Sequence, residues 1–308
     1  MEIDEIIEKI NEMKEETLEK SKLLKEQNEF ETVSKMNPID ISIGSVDGGL
    51  LKKSYHPFDL VIVSSLGVVY NYNDSTFKVS YYPSKNPKRD IEYYMGKEFK
   101  FFSNLTRVRK EIKTSLELVE KFDLDILLLD GSIVPYPSLK PNRTSNLYQV
   151  YEEIIDAYER LYRLCQKKKC LLAGIVKDSR SSKYFENFRD TFVLSYVMKD
   201  GEKTKSFKYQ ETNASDVKSK NNIFSFYLKS NKKSRPLRID FYGKENEMKI
   251  AEIIYTLSSF SNVGIPNVIL ECDKRVKLNK NELTRVERII SARLGINNFF
   301  LRRNGKLF

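Results

Sequence analysis

Four carboxylates in this sequence have the types and positions that metal-assisted chemistry requires. Asp47 closes a strand-like segment in SVDGGL, and Asp130 closes the apolar run in ILLLDGS, each followed by glycine. Glu111 lies between them in a helical stretch, and Asp273 lies far downstream in GIPNVILECD. A single Asp-Gly is usually a turn. Two of them on neighbouring strands of an α/β sheet predict a site, because functional groups cluster at strand ends.

Such a cluster favours a hard divalent cation. Carboxylates that lie close together repel one another unless a proton or a cation lies between them. Mn²⁺ and Mg²⁺ prefer oxygen ligands, so either metal suits this set. The sequence has one histidine, His56, and three cysteines with no C-x-x-C pair. These counts nearly exclude hydrolases built on several histidines, and they argue against structural zinc or a disulfide framework.

Basic residues near the carboxylates are candidates for contact with a polyanion. Lys177, Arg180 and Lys183 lie in VKDSRSSK, directly after an apolar run. A solvated basic loop is an equally good interpretation of that segment. Arg107 and Arg109 share a helical stretch with Glu111, but a spacing of two places them on different faces of the helix. At most one of the two arginines should therefore point at the site.

The elements that must position these residues predict an α/β protein. Alternating or apolar segments predict strands over residues 39–47, 59–71, 76–82, 125–129 and 170–176. Helices are predicted over residues 104–121, 146–167, 245–260 and 280–294. This order predicts a mixed sheet flanked by helices. Short segments such as TFVLSYV and IFSFYLK in residues 190–241 predict a β-rich insertion in the main domain, which spans residues 37–308.

The first 36 residues differ from the rest in charge and pattern. The chain of 308 residues has a net charge of +10, but residues 1–36 contain 11 acids and 6 lysines, so the remainder carries +15. The basic remainder suggests a polyanionic partner. Isoleucines at helical spacing predict an N-terminal amphipathic helix, which either packs on its own domain or serves docking or dimerisation. With no signal-peptide pattern or membrane-length apolar run, a cytoplasmic protein without membrane contact is expected.

Five segments, taken in order over roughly residues 40–295, resemble the NurA family of archaeal and bacterial nucleases. They are SVDGGL (45–50), RVRKEI (107–112), LLLDGSI (127–133), GIVKDSRSSKY (174–184) and GIPNVILECDKRV (264–276). The resemblance implies an RNase H-like core, in which Asp47, Glu111 and Asp130 fall on the acidic metal positions of the family.

The last segment departs from the family pattern. Family members usually have a Tyr-Pro pair there, and a histidine eight residues after the tyrosine. In this sequence Ile265 replaces the tyrosine, Pro266 is kept, and Asp273 occupies the histidine position. Aspartate can still bind Mn²⁺ or Mg²⁺. The expected metal ligands are therefore Asp47, Glu111, Asp130 and Asp273, and Lys177 joins them as the fifth predicted catalytic residue.

The resemblance also implies a function and partners. It predicts a metal-dependent deoxyribonuclease of the 5′–3′ exonuclease and single-strand endonuclease type, acting in DNA end resection with a HerA-like hexameric ATPase and forming a homodimer. In the expected mechanism Asp47 and Asp130 hold two ions, and Glu111 and Asp273 complete the two sites. Two alternatives remain open: a weak or inactive DNA-binding subunit of a HerA-type complex, and another RNase H-like nuclease that acts on RNA or junctions.

Overall fold

A mixed sheet of eleven strands forms the centre of the molecule in the computed structural model, which describes residues 3–74, 76–184, 188–209 and 216–294. The strands are β1 (Phe30–Thr32), β2 (Asp40–Ser54), β3 (Asp59–Asn73), β4 (Thr76–Tyr82), β5 (Asp90–Tyr94), β6 (Ile126–Asp130), β7 (Leu171–Val176), β8 (Glu202–Thr204), β9 (Phe207–Lys208), β10 (Ile223–Leu228) and β11 (Leu237–Tyr242). The helices are α1 (Ile3–Glu26), α2 (Phe99–Lys121), α3 (Tyr148–Lys168), α4 (Asp190–Val197), α5 (Glu247–Ser258), α6 (Asn267–Val276) and α7 (Asn281–Leu294).

The strand order places β6 and β2 at the centre of the sheet. The order is β1-β8-β10-β11-β7-β6-β2-β3-β4, with β5 also paired to β3 and β9 to β10. The pairs β2–β6 and β6–β7 are parallel, and the other pairs are antiparallel. Parallel neighbours end at the same edge, so the carboxyl end of β6 opens beside the middle of the longer β2.

Helices cover both faces of the sheet, which gives two apolar cores. On one face α2 and α3 pack against residues such as Val46, Leu127 and Leu129. On the other face α5 and α6 pack against residues such as Ile43 and Leu128. Successive side chains of a strand point to opposite faces, which is why adjacent residues of β2 and β6 divide between the two cores. The predicted mixed α/β sheet flanked by helices is confirmed.

Three local predictions differ from the structure. TFVLSYV was expected to be a strand, but it forms most of α4, whose Val193 and Leu194 are buried in a small third core. Strand β5 was missed because its sequence DIEYY pairs only as an edge strand of β3 and carries charged residues. Asp47 was expected to end a strand, but β2 continues through Gly48 and Gly49 to Ser54 without interruption.

The N-terminal segment is attached to the far edge of the sheet. Met13, Thr17 and Leu24 of α1 face the body, where Leu24 joins the third core. Strand β1 then pairs with β8, whose Lys203 is fully buried. The Nζ of Lys203 lies 2.5 Å from a carboxylate oxygen of Glu31 in β1 and 2.6 Å from one of Glu247 in α5. Among the described residues, no helix is both long enough and apolar enough to cross a membrane.

Candidate metal centre

The register between β2 and β6 brings Asp47 and Asp130 side by side. Val46 is the parallel partner of Leu129, so the next residues of the two strands are these two aspartates. Asp47 has the same parity along β2 as Ile43, whose side chain lies in the α5–α6 core. β2 is buried from Ile43 to Val46 and β6 from Ile126 to Leu129, and Asp130 is the last residue of β6. The two carboxylates therefore meet at the point where the sheet opens.

Asp273 reaches this point from α6, which packs across β2 and β3. The preceding residue, Cys272, is fully buried, and its thiol donates to the carbonyl oxygen of Leu66 over 3.1 Å. At the end of the helix the hydroxyl of Ser64 donates to the carbonyl oxygen of Val276 over 3.1 Å. These contacts hold α6 against the sheet, so that Asp273 lies on its exposed side.

The three aspartates form a cluster that suits a divalent cation. One carboxylate oxygen from each of Asp47, Asp130 and Asp273 lies within 4.8 Å of the others. Asp47 and Asp130 are half-buried, and Asp273 is exposed, which leaves the cluster open to solvent on one side. Oxygen donors on three separate elements are the ligand set that Mn²⁺ and Mg²⁺ accept, and they leave positions for water. The donor chemistry of the cluster therefore fits such an ion.

Glu111 approaches from the opposite face of the sheet. It lies on α2 directly above Gly48, where an added Cβ would be 2.4 Å from its carboxylate oxygen. Its carboxylate pairs with Arg107 one helical turn earlier, and its side chain is 21% exposed. Glu111 is not one of the three carboxylates whose oxygens lie within 4.8 Å of one another. Glu111 thus neighbours the cluster across β2, held by an arginine.

The pKa values of Asp47 and Glu111 are raised chiefly by burial, and the neighbouring carboxylates add to the shift. The pKa of Asp47 is raised from 3.8 to about 6, first by burial and then by the charge of Asp130. The pKa of Glu111 is raised from 4.5 to about 7 by burial, against the opposing charge of Arg107. A raised pKa means that the charged form is unfavourable without a counter-charge. A bound cation would therefore stabilise the ionised forms of these carboxylates.

Lys177 supplies a counter-charge to one member of the cluster. It follows the last residue of β7, and Asp130 is the partner of Ile175 in the β6–β7 ladder. Its Nζ donates to Oδ2 of Asp130 over 2.6 Å. The structure thus brings the predicted Lys177 to the predicted carboxylates.

The other predicted basic residues lie at different distances from the cluster. Arg107 lies at the site, where it forms an ion pair with Glu111. Arg109 lies on another face of α2, and its guanidinium nitrogen is 3.8 Å from a carboxylate oxygen of Glu92. Arg180 and Lys183 are exposed along a groove that begins beyond Lys177. The structure does not bring Arg109 to the carboxylates.

Sequence reasoning missed several features of the site, among them helix α6, which carries Asp273 and was not among the predicted helices. It ended the first strand at Asp47, whereas Gly48 and Gly49 continue the strand and let α2 and the end of α6 approach its two sides. It also missed Tyr158 of α3, which lines a small cavity with Arg107 and Glu111. Helical spacing assigns Tyr158 to the core and carries no signal for its nearness to a carboxylate.

Comparison with known proteins gives one family and several similar structures. A family model described as the NurA domain matches residues 41–278. The crystal structure of the NurA nuclease from Sulfolobus solfataricus is 15% identical, with a TM-score of 0.63, covering 96% of this chain and 98% of that one. A structure of NurA bound to dAMP and manganese is 13% identical, with a TM-score of 0.57, covering 94% and 96%.

A structure of NurA with manganese is also 13% identical, with a TM-score of 0.52, and covers 97% of this chain and 100% of that one. At these identities the structural matches show a shared fold. None of the curated proteins compared with the chain matches its sequence.

Proposed function

Since the chain belongs to the NurA family, we propose that it is a divalent-metal-dependent nuclease that hydrolyses phosphodiester bonds in DNA. The observation that carries this proposal is the cluster of Asp47, Asp130 and Asp273, whose carboxylate oxygens lie within 4.8 Å of one another. The similar structure with dAMP and manganese supports the same combination of metal and nucleotide in this fold.

Asp47, Asp130 and Asp273 would hold the metal, with Glu111 completing a second position across β2. When bound, two Mn²⁺ or Mg²⁺ ions supply an activated water at neutral pH and stabilise the leaving oxygen. Arg107 keeps the carboxylate of Glu111 oriented through their ion pair. The N–H of Gly48 does the same for Asp47, donating to Oδ1 over 2.7 Å.

Lys177 has a double role in this proposal. Without a cation it balances the charge of Asp130 over 2.6 Å. Once the negative charge of Asp130 is shared with a cation, the ammonium group is available to a phosphate oxygen at the same place. Lys177 then positions the scissile phosphate beside the carboxylates, which is the part of catalysis that depends on orientation.

Arg180 and Lys183 would contact the phosphates beyond the cut. Both are exposed along the groove that leads away from Lys177. The charge of +15 on residues 37–308 would draw the DNA backbone to this surface. Arg109 stays a predicted DNA contact, outside the immediate site.

The finer biological assignments rest on the resemblance to the family. We propose 5′–3′ exonuclease and single-strand endonuclease activity in the cytoplasm, in end resection with a HerA-like hexameric ATPase. We also propose a homodimer. Helix α1 is a candidate docking or dimerisation element, because Ile3, Ile6, Ile7 and Ile10 are exposed on it.

Removal of single carboxylates tests the proposal. We expect Asp47→Ala or Asp130→Ala to lower cleavage by about 1000-fold or more, because a bound metal supplies several kcal/mol and each 1.4 kcal/mol is tenfold in rate. DNA binding should be largely kept. The matched control is Asp123→Ala, which removes an exposed aspartate before the start of β6. Cleavage by the unaltered chain that persists in EDTA would refute the metal mechanism.

The substrate is tested with 5′-labelled single-stranded DNA, duplex DNA, RNA–DNA hybrid and junction substrates, each with Mn²⁺ or Mg²⁺. Cleavage of DNA supports the proposal, and exclusive cleavage of RNA or junctions supports a different RNase H-like nuclease. Metal-dependent DNA binding without cleavage would instead support the inactive subunit. The inactive subunit is included in the test because Ile265 stands where family members usually have a tyrosine. Ile265 packs against the apolar core and offers no hydroxyl group to a substrate.

A further inference from the structure

The loop that carries the basic residues is fixed by a buried carboxylate that is not part of the metal cluster. The loop, Lys177–Tyr184, connects the end of β7 to the segment before α4. Asp190, the first residue of α4, is completely buried. Its two carboxylate oxygens accept hydrogen bonds from consecutive backbone N–H groups of the loop, those of Lys183 and Tyr184, each over 2.9 Å.

Two further contacts complete this attachment. The hydroxyl of Tyr227, a fully buried residue of β10, donates to Oδ2 of Asp190 over 2.7 Å. The backbone N–H of Asp190 donates to the carbonyl oxygen of Ser181 over 2.9 Å. Asp190 therefore bonds the loop through both its side chain and its backbone, while Tyr227 connects the carboxylate to the sheet.

The chemistry of Asp190 indicates a requirement for geometry rather than for stability alone. Burying a carboxylate is costly, and well-packed apolar residues often stabilise a protein as much or more. A carboxylate has two oxygens that can each accept from one of two adjacent N–H groups, which an apolar side chain or a single hydroxyl cannot do. This contact specifies the backbone path at Lys183 and Tyr184.

The path matters because the basic side chains leave the loop in fixed directions. At one end Lys177 reaches Asp130. At the other end the Nζ of Lys183 lies 3.8 Å from the ring centroid of Phe207 and 4.7 Å from that of Tyr184. Arg180 lies between them and lines the same groove. The loop thus holds Lys177 at the metal cluster and presents Arg180 and Lys183 to the groove beyond it.

We propose that Asp190 is a positioning residue that holds the loop Lys177–Tyr184 so that its three cations follow the phosphates of a DNA strand leaving the metal cluster. Asp190 itself touches no substrate. This inference rests on the proposed function, but the attachment of the loop can be measured without DNA.

Asp190→Asn is the central variant. The amide has nearly the same shape but only one acceptor oxygen, so one of the two loop N–H groups loses its partner. Tyr227→Phe is the milder variant, because it keeps both backbone contacts of Asp190; it removes the hydroxyl that donates to Asp190 and that also contacts Ser179 and Ser181 of the loop. Glu159→Gln is the matched control. Buried Glu159 accepts from the backbone N–H and the hydroxyl of Ser219, over 2.9 and 2.6 Å, away from the loop.

Limited digestion with trypsin measures the attachment of the loop. We expect faster cleavage after Arg180 and Lys183 in Asp190→Asn, and a smaller increase in Tyr227→Phe. Cleavage there should not increase in Glu159→Gln. Equal cleavage of this loop in Asp190→Asn and Glu159→Gln overturns the inference, whether or not the chain is a nuclease.

Kinetics and binding measure the effect on the substrate. We expect Asp190→Asn to raise KM for single-stranded DNA about tenfold with a smaller change in kcat. The slope of the logarithm of the binding constant against the logarithm of the salt concentration should become shallower by about 1.4. A loosened loop loses the phosphate contacts of Arg180 and Lys183, and each contact on a single strand contributes about 0.7 to that slope. Tyr227→Phe keeps the test informative if Asp190→Asn does not fold.

An unchanged KM and salt slope in variants with a loosened loop would show a purely structural role for Asp190 and overturn the inference. If the unaltered chain neither binds nor cuts DNA, the proposed function fails instead. Limited digestion with trypsin, which needs no DNA, would then be the measurement that shows whether Asp190 holds the loop.

Discussion

Asp47 and Glu111 lie in surroundings that oppose their ionised forms. Their pKa values are raised to about 6 and about 7, with burial as the largest cause in both. Asp47 has Asp130 beside it, and Glu111 has Asp47 across β2, so each ionisation makes the next one harder. A divalent cation favours the ionised forms and therefore competes with protons for the same oxygens.

This competition predicts a metal effect that depends on pH. Both pKa values lie above those of the unfolded chain, so these groups favour folding below about pH 4, and that contribution is lost as the pH rises through about 6 and 7. Bound Mn²⁺ offsets the loss. We expect the rise in melting temperature caused by Mn²⁺ to be small at about pH 5.5 and larger at about pH 8.

Thermal unfolding with and without Mn²⁺ at the two pH values checks this expectation. Asp47→Asn should abolish most of the difference, because it removes a ligand that titrates in this range. Asp123→Ala should leave the difference unchanged. A metal-induced shift of the same size at both pH values would contradict the assignment of Asp47 and Glu111 to the metal.

At the residue level, the sequence supports the positions of some site residues better than others. An apolar run followed by Asp-Gly located Asp130 correctly, because the end of a buried strand has a clear pattern. The Arg107–Glu111 ion pair follows from a spacing of four, which places both on one helical face. Asp190 has no comparable signal, since its role depends on loop residues that reach it only after folding.

At the scale of elements, the consecutive glycines of β2 allow helices to approach both sides of one strand. An added Cβ at Gly49 would lie 2.2 Å from the backbone carbonyl oxygen of Val276, at the end of α6. A backbone atom cannot rotate away as a side chain can, so α6 itself would have to move. Asp273 lies one turn before Val276 and would move with it.

We therefore expect Gly49→Ala to lower Mn²⁺ affinity by about tenfold, the lower end of the range for residues that support metal ligands. Isothermal titration with Mn²⁺ measures this change. Gly96→Ala is the control, because the three atoms nearest to a Cβ at exposed Gly96 all belong to the side chain of Tyr94, which can rotate away. Equal affinity in Gly49→Ala and the unaltered chain would show that α6 is not held by this contact.

The wrongly predicted elements have physical explanations. TFVLSYV is rich in β-branched and aromatic residues, which favour strands. It nevertheless forms α4 because helical geometry buries Val193, Leu194 and Val197 on one side. The pair Gly48 and Gly49 is typical of a turn, but its pairing with Ser65 and Ser64 of β3 keeps it extended. In both cases tertiary contacts outweigh local preference, and a single sequence does not display those contacts.

At the scale of the whole molecule, the N-terminal helix is only partly integrated into the body. Leu24 is 7% exposed and packs near Phe188 and Leu194. In contrast, Ile7 and Ile10 are each 50% exposed, in a segment with an acidic surface. The second half of α1 thus contributes to the fold, and the first half presents an apolar stripe to solvent.

This difference predicts separate effects of substitutions in the two halves. We expect the double variant Ile7→Gln, Ile10→Gln to change the free energy of unfolding by less than about 0.5 kcal/mol, as for exposed sites. Leu24→Gln should cost about 2 kcal/mol or more, because it places an amide in an apolar core. Urea unfolding at low protein concentration measures both values.

Light scattering on the same variants then tests docking. Loss of self-association in the double variant without loss of stability supports α1 as the dimerisation element. A double variant that unfolds as readily as Leu24→Gln would show instead that the stripe packs on the body.

The buried Lys203 affects how a force applied to α1 would be transmitted to the rest of the molecule. Tension on that helix reaches the sheet through β1, which is held to β8 by only three residue pairs. Lys203 couples Glu31 of β1 to Glu247 of α5 through its two ion pairs, so the load is shared with a helix on the sheet face that also carries α6. A pull on the N-terminus would therefore load α5, which lies on the same face of the sheet as α6, as well as the edge strand β1.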